Sequence, residues 1–208
     1  MNDDILLKPS LPYDEFEESL CWRVCETPYR EMNSLLEELP NLEGSSFVNQ
    51  LKEITSHSEF KPLAGEGDIF IVGGETAADY DNLLNAARKA VGYGYRVFIL
   101  PNPKGIRTAD FIFERKGVYK MFDLKTIIGK SSAVNRLLES IGQTNHVLLN
   151  MATDYEPRLL AKDVKTYFEV NKQAREVLIM KGNKFLPVSR KFVEGKDYFK
   201  MFIKRYLK

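Results

Sequence analysis

Residues 108–126 constrain the fold more than any other stretch of the chain. Their sequence, TADFIFERKGVYKMFDLKT, predicts two strands joined by a short turn at Glu114–Gly117. Because residues two apart on a strand share a face, Asp123 and Lys125 point the same way. Asp110 lies 13 positions before Asp123, a spacing over which a hairpin can bring two carboxylates together. Two carboxylates beside an ammonium can hold a divalent cation and stabilise the charge of a phosphate under attack.

The acid-x-lysine tripeptide alone carries little information, because the chain contains five copies and 28% of its residues are charged. Four copies precede a proline, fall in a turn, lie within a predicted helix or sit in a glycine loop. Only the Asp123–Lys125 copy lies on an apolar strand that follows a second acid and precedes a helix. An aspartate within MFDLK is costly to bury without a partner. An ion pair of Lys125 with Asp123 or Asp110, without chemistry, remains the alternative.

The rest of the chain predicts an α/β (α+β) domain over residues 63–208, preceded by a helical appendage over residues 1–62. In the appendage, helices are predicted at 13–26 and 29–39 and from a cap at Ser45 or Ser46. The predicted elements that follow are strand 68–72, helix 75–91, strand 95–100, the two central strands, a helix opened by Ser131 or Ser132, strand 146–151, helix 156–174, strands 176–180 and 184–188, and helix 196–206. This order indicates a mixed sheet flanked by helices.

Charge is distributed unevenly along the 208 residues, although the net charge is only +1. The first 50 residues hold 11 acids and 3 basic residues, whereas residues 51–208 hold 18 acids and 27 basic residues. An acidic appendage covering a polyanion-binding body would explain this pattern, and so would solvated helix faces of opposite sign. No apolar run approaches the ~18 residues that a membrane span needs. Cys21 and Cys25 lack further metal-ligand neighbours and are interpreted as reduced core thiols.

Five short segments occur in the order of a known enzyme core. They are GYRVFILP at 94–101, TADFI at 108–112, FDLKT at 122–126, GKSS at 129–132 and QTNHVLL at 143–149. In these segments, residues 75–150 resemble the core of the PD-(D/E)XK nuclease superfamily. Within it they are most similar to the C-terminal tRNA-nuclease toxin domains of contact-dependent growth-inhibition systems. The resemblance implies a restriction-endonuclease-like mixed sheet flanked by helices.

The resemblance also implies a catalytic set of Asp110, Asp123 and Lys125. The two aspartates would ligate Mg²⁺ or Mn²⁺, and the lysine would position water or stabilise the pentavalent phosphate. Members often add an acid from the first helix; Asp81 matches best, ahead of Glu75 and Asp79. Asp123 stands where glutamate is more frequent, which shortens the reach by one methylene. The implied substrate-binding residues are Lys130, Ser131, Arg136 and Gln143.

The function implied by the resemblance is a metal-dependent nuclease, with tRNA favoured over DNA as substrate. A cognate immunity protein would be its partner, and the cytoplasm its site of action after delivery within a larger secreted or phage protein. Three alternatives stay open: a DNA nuclease, a catalytically silent interaction module of a phage or toxin-carrier protein, and a nucleotide site at the IFIVGGETAA segment, residues 69–78. That segment lacks both G-x-G-x-x-G and the P-loop pattern.

Overall fold

The computed structural model describes residues 31–73, 80–102, 105, 107–129 and 132–208. These residues form an eight-stranded mixed sheet flanked by helices, which confirms the predicted α/β architecture and the helical N-terminal part. The helices are α1 Met32–Glu38, a 3₁₀ turn at Leu39–Asn41, α2 Gly44–Ser56, α3 Tyr80–Gly92, α4 Ala133–Leu138, α5 Pro157–Val170, α6 Arg190–Val193 and α7 Tyr198–Tyr206. The strands are β1 Phe60–Leu63, β2 Glu66–Val72, β3 Arg96–Ile99, β4 Phe111–Arg115, β5 Val118–Ile127, β6 His146–Met151, β7 Glu176–Lys181 and β8 Lys184–Ser189.

The strands lie side by side in the order in which they occur in the sequence. β2 pairs parallel to β3, and β5, β6 and β7 run parallel, while the remaining neighbours are antiparallel. The predicted central hairpin is confirmed as β4 and β5. Its turn centres on Lys116 and Gly117, whose positive φ angles of 53° and 77° are those that a type I′ turn requires. The hairpin therefore fixes which residues of β4 and β5 face each other.

Two helical groups pack on one face of the sheet. The first, which we call the N-terminal helix pair, consists of α1 and α2 and packs against Phe98, Ile112 and Met121. The second, the C-terminal helix layer, consists of α5, α6 and α7; together with α4 it packs over β5–β8, where Ile127 and Val147 belong to its core. Met121 and Ile127 are both on β5 and an even number of residues apart, so both groups lie on the same face. α3 packs on the opposite face.

The sequence pattern does not predict β1, because Pro62 lies within it and proline usually interrupts regular structure. The strand forms an edge of the sheet, where a proline is tolerated since no neighbour needs its missing N–H. β1 covers residues 60–63, so it crosses the predicted boundary at residue 62, and the N-terminal helix pair shares a core with the sheet. The predicted helix at 13–26, with Cys21 and Cys25, lies outside the described residues.

The long helix predicted at 156–174 ends earlier, at Val170. Its end is held by Arg190, which donates hydrogen bonds to the carbonyls of Phe168, Asn171 and Ala174. A sequence pattern cannot predict an end that depends on a side chain from 19 residues away. None of the helices in the described ranges is long and apolar enough to cross a membrane.

Candidate active site

Asp110, Asp123 and Lys125 meet on the sheet face that carries both helical groups. Asp110 immediately precedes β4, and its N–H donates to the carbonyl of Phe122 on β5, at 3.0 Å. Its carboxylate reaches across the same strand pair, where Oδ2 accepts a hydrogen bond from the N–H of Leu124 at 2.6 Å. Antiparallel pairing of β4 with β5 thus brings Asp110 beside Asp123, as the hairpin spacing predicted.

The Asp123 carboxylate is almost completely buried, with 2% of the residue exposed. The Lys125 ammonium lies 2.7 Å from Oδ2 and 3.0 Å from Oδ1, and it donates its hydrogen bond to Oδ1. Oδ2 therefore receives the electrostatic attraction of the ammonium but no aligned hydrogen bond. A buried carboxylate oxygen in this state has free capacity for another positive group.

The carboxyl groups of Asp110 and Asp123, which we call the carboxylate pair, lie close enough for the charge of Asp123 to act on Asp110. Burial, followed by the negative charge of Asp123, raises the pKa of Asp110 to about 7. Burial also raises the pKa of Asp123, but the hydrogen bond and charge of Lys125 and the hydrogen bond donated by Asp110 oppose that rise. Two like charges this close cannot both be stable without a further cation.

The residues present fit a divalent cation such as Mg²⁺ or Mn²⁺. The carboxylate pair supplies oxygen ligands, and Asp123 Oδ2 has the free capacity just described. Mg²⁺ is usually held by one or two carboxylates together with water and substrate phosphates. A cation at the pair would offset the charge of Asp123, which after burial is the next cause that raises the pKa of Asp110. The donor atoms of the pair are thus compatible with a divalent cation.

The structure does not bring Asp81 to the carboxylate pair. Asp81 lies in the first turn of α3, which packs on the opposite face of the sheet, and its charge acts on Arg88, which is bound to Glu66. Across the described ranges, no group of three or more His, Cys, Asp or Glu side chains could hold a metal ion. The other candidates for a third acid, Glu75 and Asp79, lie outside those ranges.

Of the other predicted substrate-binding residues, Arg136 and Gln143 lie at the end of α4. Lys130 and Ser131 lie outside the described residues. Arg136 forms an exposed ion pair with Glu139, with Nη1 3.0 Å from Oε2. The side-chain amide of Gln143 donates to the carbonyl of Glu139 at 3.1 Å, which closes the C-terminal end of this helix. Within the described ranges, no hydrogen bond links Gln143 or Arg136 to the carboxylate pair.

Arg107 also reaches the end of α4. Its Nη2 donates to the same Glu139 carbonyl at 3.3 Å, and its charge is near enough to lower the pKa of Asp123. Arg107 was identified from the sequence only as one of several basic residues near the hairpin. Its contact joins two segments 32 residues apart, which composition and periodicity cannot reveal. The arrangement adds a cation to the exposed side of the site.

A buried polar network of Asn171, Tyr167 and Ser140 lies near Asp123. Asn171 Nδ2 donates to Tyr167 Oη, which lies 3.3 Å from Ser140 Oγ, and Ser140 Oγ donates to the carbonyl of Leu137. The Ser140 hydroxyl uses its proton on Leu137, so Tyr167 donates to Ser140. Burial raises the pKa of Tyr167, and the nearby charge of Asp123 adds to that rise. Periodicity predicts only the apolar face of this helix and does not predict the network.

His146, considered from the sequence as a residue near the site, lies on the other face of the sheet. Its neighbour Val147 pairs with Asp123, so alternation points His146 away from the carboxylate pair. The imidazole packs edge-on against Phe122 at 5.6 Å. Burial, followed by the charges of Lys120 and Arg175, lowers the pKa of His146 to about 4. It is therefore a neutral core residue at physiological pH.

Comparisons with known proteins give one distant structural likeness. No family model matches the chain. No curated protein matches it either. A similar solved structure is the CdiA-CT/CdiI toxin and immunity complex from Burkholderia pseudomallei, at 14% identity and a TM-score of 0.42, covering 57% of this chain and 98% of that chain. A likeness this distant does not establish a family.

Proposed function

We propose that this protein is a metal-dependent phosphodiesterase that cleaves nucleic acid. The observation that carries the proposal is the position of a second acid beside the buried Asp123–Lys125 pair: Asp110 Oδ2 accepts a hydrogen bond from the N–H of Leu124, the residue between them. Buried acids with raised pKa values are costly to keep, and they concentrate at functional sites. A structural ion pair would need only one acid for one lysine. The second carboxylate is what favours metal chemistry over a simple ion pair.

The roles of the residues follow from their positions. Asp110 and Asp123 would hold a divalent cation, which supplies an activated water and neutralises charge on the phosphate. The hydrogen bond from the Leu124 N–H orients the Asp110 carboxylate toward Asp123. Lys125, 15% exposed in its side chain, keeps its ammonium at the carboxylate pair, where it can stabilise the negative charge that develops on a phosphate oxygen. Arg107 contributes a second positive charge at the exposed side.

The finer part of the proposal is a toxin-type ribonuclease with tRNA as substrate and an immunity protein as its partner. Support for this part is the similarity of the five sequence segments to tRNA-nuclease toxin domains. The carboxylate pair itself favours neither RNA nor DNA, because both expose the same phosphodiester group. The substrate therefore has to be chosen by experiment.

A catalytically silent interaction module is the second candidate function. The observation that favours it is the absence, within the described ranges, of a third acid at the carboxylate pair. In that case the Asp123–Lys125 ion pair would serve only the fold. This reading predicts no cleavage with any divalent cation.

The test is cleavage of total tRNA and of plasmid DNA by the purified protein in Mg²⁺, Mn²⁺ or chelator. Asp123→Asn should reduce cleavage to background, and Lys125→Met should reduce it about a hundred- to a thousandfold. Lys120→Met is the matched control, because Lys120 also pairs with an acid, Glu176 at 2.6 Å, but from the opposite face of β5. Lys120→Met should retain cleavage.

Intact tRNA and DNA under every metal, with a folded protein, would favour the silent module. Cleavage that survives Asp123→Asn would locate the active site elsewhere. The substrate that disappears decides between the ribonuclease and the DNA nuclease.

A further inference from the structure

The segment that contains the C-terminal helix layer together with β7 and β8 carries a large excess of positive charge. Residues 157–208 hold 14 basic residues and 5 acids, a surplus of nine in a chain whose net charge is +1. Eleven of these basic residues are exposed and three are half-buried. Ordinary solvated helix faces carry both signs in comparable numbers, so a surplus of this size needs a separate explanation.

Two of the five acids do not face solvent and cannot neutralise this surface. Asp163 is buried and accepts hydrogen bonds from the Ala133 N–H and the Tyr155 hydroxyl. Glu176 is also buried and pairs with Lys120 on β5. The exposed acids of the segment are thus reduced to three, against eleven exposed basic residues.

The exposed charge lies close to the candidate site in the fold. The C-terminal helix layer packs on the sheet face that carries Asp110 and Asp123, and Tyr167 on the inner side of α5 is near enough to Asp123 for that charge to act on it. The layer that carries these basic residues therefore packs on the part of the sheet next to the carboxylate pair.

An open pocket of about 350 Å³ lies between α5, α6 and α7. Lys165, Lys172 and Lys196 line it, and Phe199, 37% exposed, forms part of its wall with Lys165 Nζ 5.7 Å from the ring centre. The Lys165–Glu169 pair is long, at 4.0 Å. Lys172 and Lys196 form no ion pair within the described part of the chain. These ammonium groups are available to an anionic partner.

We infer that the C-terminal helix layer is a docking surface for the phosphate backbone of a nucleic acid, with its contacts centred on Lys165, Lys172 and Lys196. Clustered lysines bind phosphates by releasing condensed counterions, and an exposed aromatic ring beside them can stack on an unpaired base. The inference rests on the proposed function for its substrate class. It adds a binding surface separate from the residues that perform the cleavage.

The experiment is binding of fluorescently labelled tRNA by the full chain in chelator, measured by anisotropy at 50 to 300 mM KCl. The test variant is K165Q/K172Q/K196Q, and the control K52Q/K61Q/K89Q removes the same charge from α2, β1 and α3. Loss of three phosphate contacts should make the slope of log K against log salt shallower by about two and weaken binding about ten- to a hundredfold at 100 mM KCl. The control should stay within about threefold of wild type.

Equal loss of affinity in the two triple variants would overturn the docking surface, because net charge alone would then explain binding. Failure of wild type to bind tRNA would also overturn the docking surface. Binding of anionic phosphatidylserine vesicles in place of tRNA would count as such a failure. Because the assay contains chelator, binding is read independently of cleavage. Binding lost only in the test variant, with no cleavage under any metal, would retain the docking surface and remove the proposed nuclease.

Discussion

The two helical groups on the site face both bury apolar residues against the sheet, but they differ in the charge of their other residues. The N-terminal helix pair buries Leu35, Leu36, Leu51 and Ile54 against β3–β5, much as the C-terminal helix layer buries its apolar residues against β5–β8. Outside, residues 31–56 hold five acids and one lysine, whereas residues 157–208 hold 14 basic residues and 5 acids. Apolar burial therefore fixes both groups in place, and the outer charge is free to serve another purpose.

The carboxylate pair lies at the junction of these two groups, between Met121 of one core and Ile127 of the other. A polyanion approaching this junction is attracted by the basic segment on one side and repelled by the acidic helix pair on the other. The comparison thus predicts the side from which a nucleic acid enters.

The largest expected effect concerns whether the N-terminal helix pair is integral to the fold. Leu51 is completely buried in the core that it shares with Phe98 and Met121. Leu51→Ala should lower the free energy of unfolding by about 3 kcal/mol, in one cooperative transition, because it leaves a cavity in that core. Chemical denaturation followed by circular dichroism measures this change. Leu207→Ala, at an exposed position (65%), is the control and should change it by less than about 0.5 kcal/mol.

A separate early transition for Leu51→Ala, with the sheet unfolding as in wild type, would contradict a shared core. The helix pair would then behave as the independent appendage that its composition predicts.

The next effect is a gain in stability from Asp110→Asn, measured in chelator. The asparagine keeps the acceptor for the Leu124 N–H and can still donate to Asp123. Folded Asp110 holds its proton up to a pKa of about 7, whereas the unfolded residue loses it near the ordinary aspartate pKa of 3.8. Between these values the folded state binds more protons, so wild-type stability falls as pH rises from about 4 to about 7.

Asparagine has no proton to lose over this pH range, so the stability of Asp110→Asn should not fall as the pH rises from about 4 to about 7. The variant should match wild type near pH 3.5, and its advantage in the free energy of unfolding should grow by about 2 kcal/mol between pH 5.5 and pH 8, although it should have lost cleavage. Asp154→Asn, at an exposed position, should show no such difference. Equal stability of Asp110→Asn and wild type at pH 5.5 and at pH 8 would show that the two carboxyl groups do not repel each other.

A smaller effect is expected from the polar network of the C-terminal helix layer. Tyr167→Phe removes the hydroxyl that links Asn171 to Ser140 and leaves both buried side chains without that partner. The free energy of unfolding should fall by about 1 kcal/mol. Thermal unfolding would detect the change. An unchanged melting temperature would mean that water replaces the hydroxyl in the variant.

The smallest effect should come from the acids of the N-terminal helix pair. E31Q/E37Q/E43Q removes three exposed negative charges on one side of the carboxylate pair and should tighten tRNA binding about two- to threefold at 100 mM KCl. The control D68Q/D81Q/D154Q removes three exposed acids elsewhere. Comparable tightening in both variants would show that overall charge, rather than its placement, governs the approach of the polyanion.

Sequence reasoning was most successful for features that follow from the two-residue alternation of side chains along a strand. The alternation on β5 requires Asp123 and Lys125 to share a face, and the two-residue turn fixes the register that brings Asp110 to them. It did not find the Arg107–Glu139 contact, since loops and helix ends meet there without any period. It also assigned Asp81 to the metal by distance along the chain, whereas α3 packs on the opposite face.

The most direct test of the account is calorimetric titration of Mn²⁺ into the chelator-free protein, in two buffers of different ionisation enthalpy. A cation that binds the carboxylate pair must displace the proton of Asp110, because metal ligands bind in their deprotonated form. We predict one binding site, release of about one proton at pH 6 and almost none at pH 8.5, and no binding by Asp110→Asn. Absence of binding to wild type, or undiminished binding to Asp110→Asn, would contradict the assignment of the carboxylate pair as a metal site.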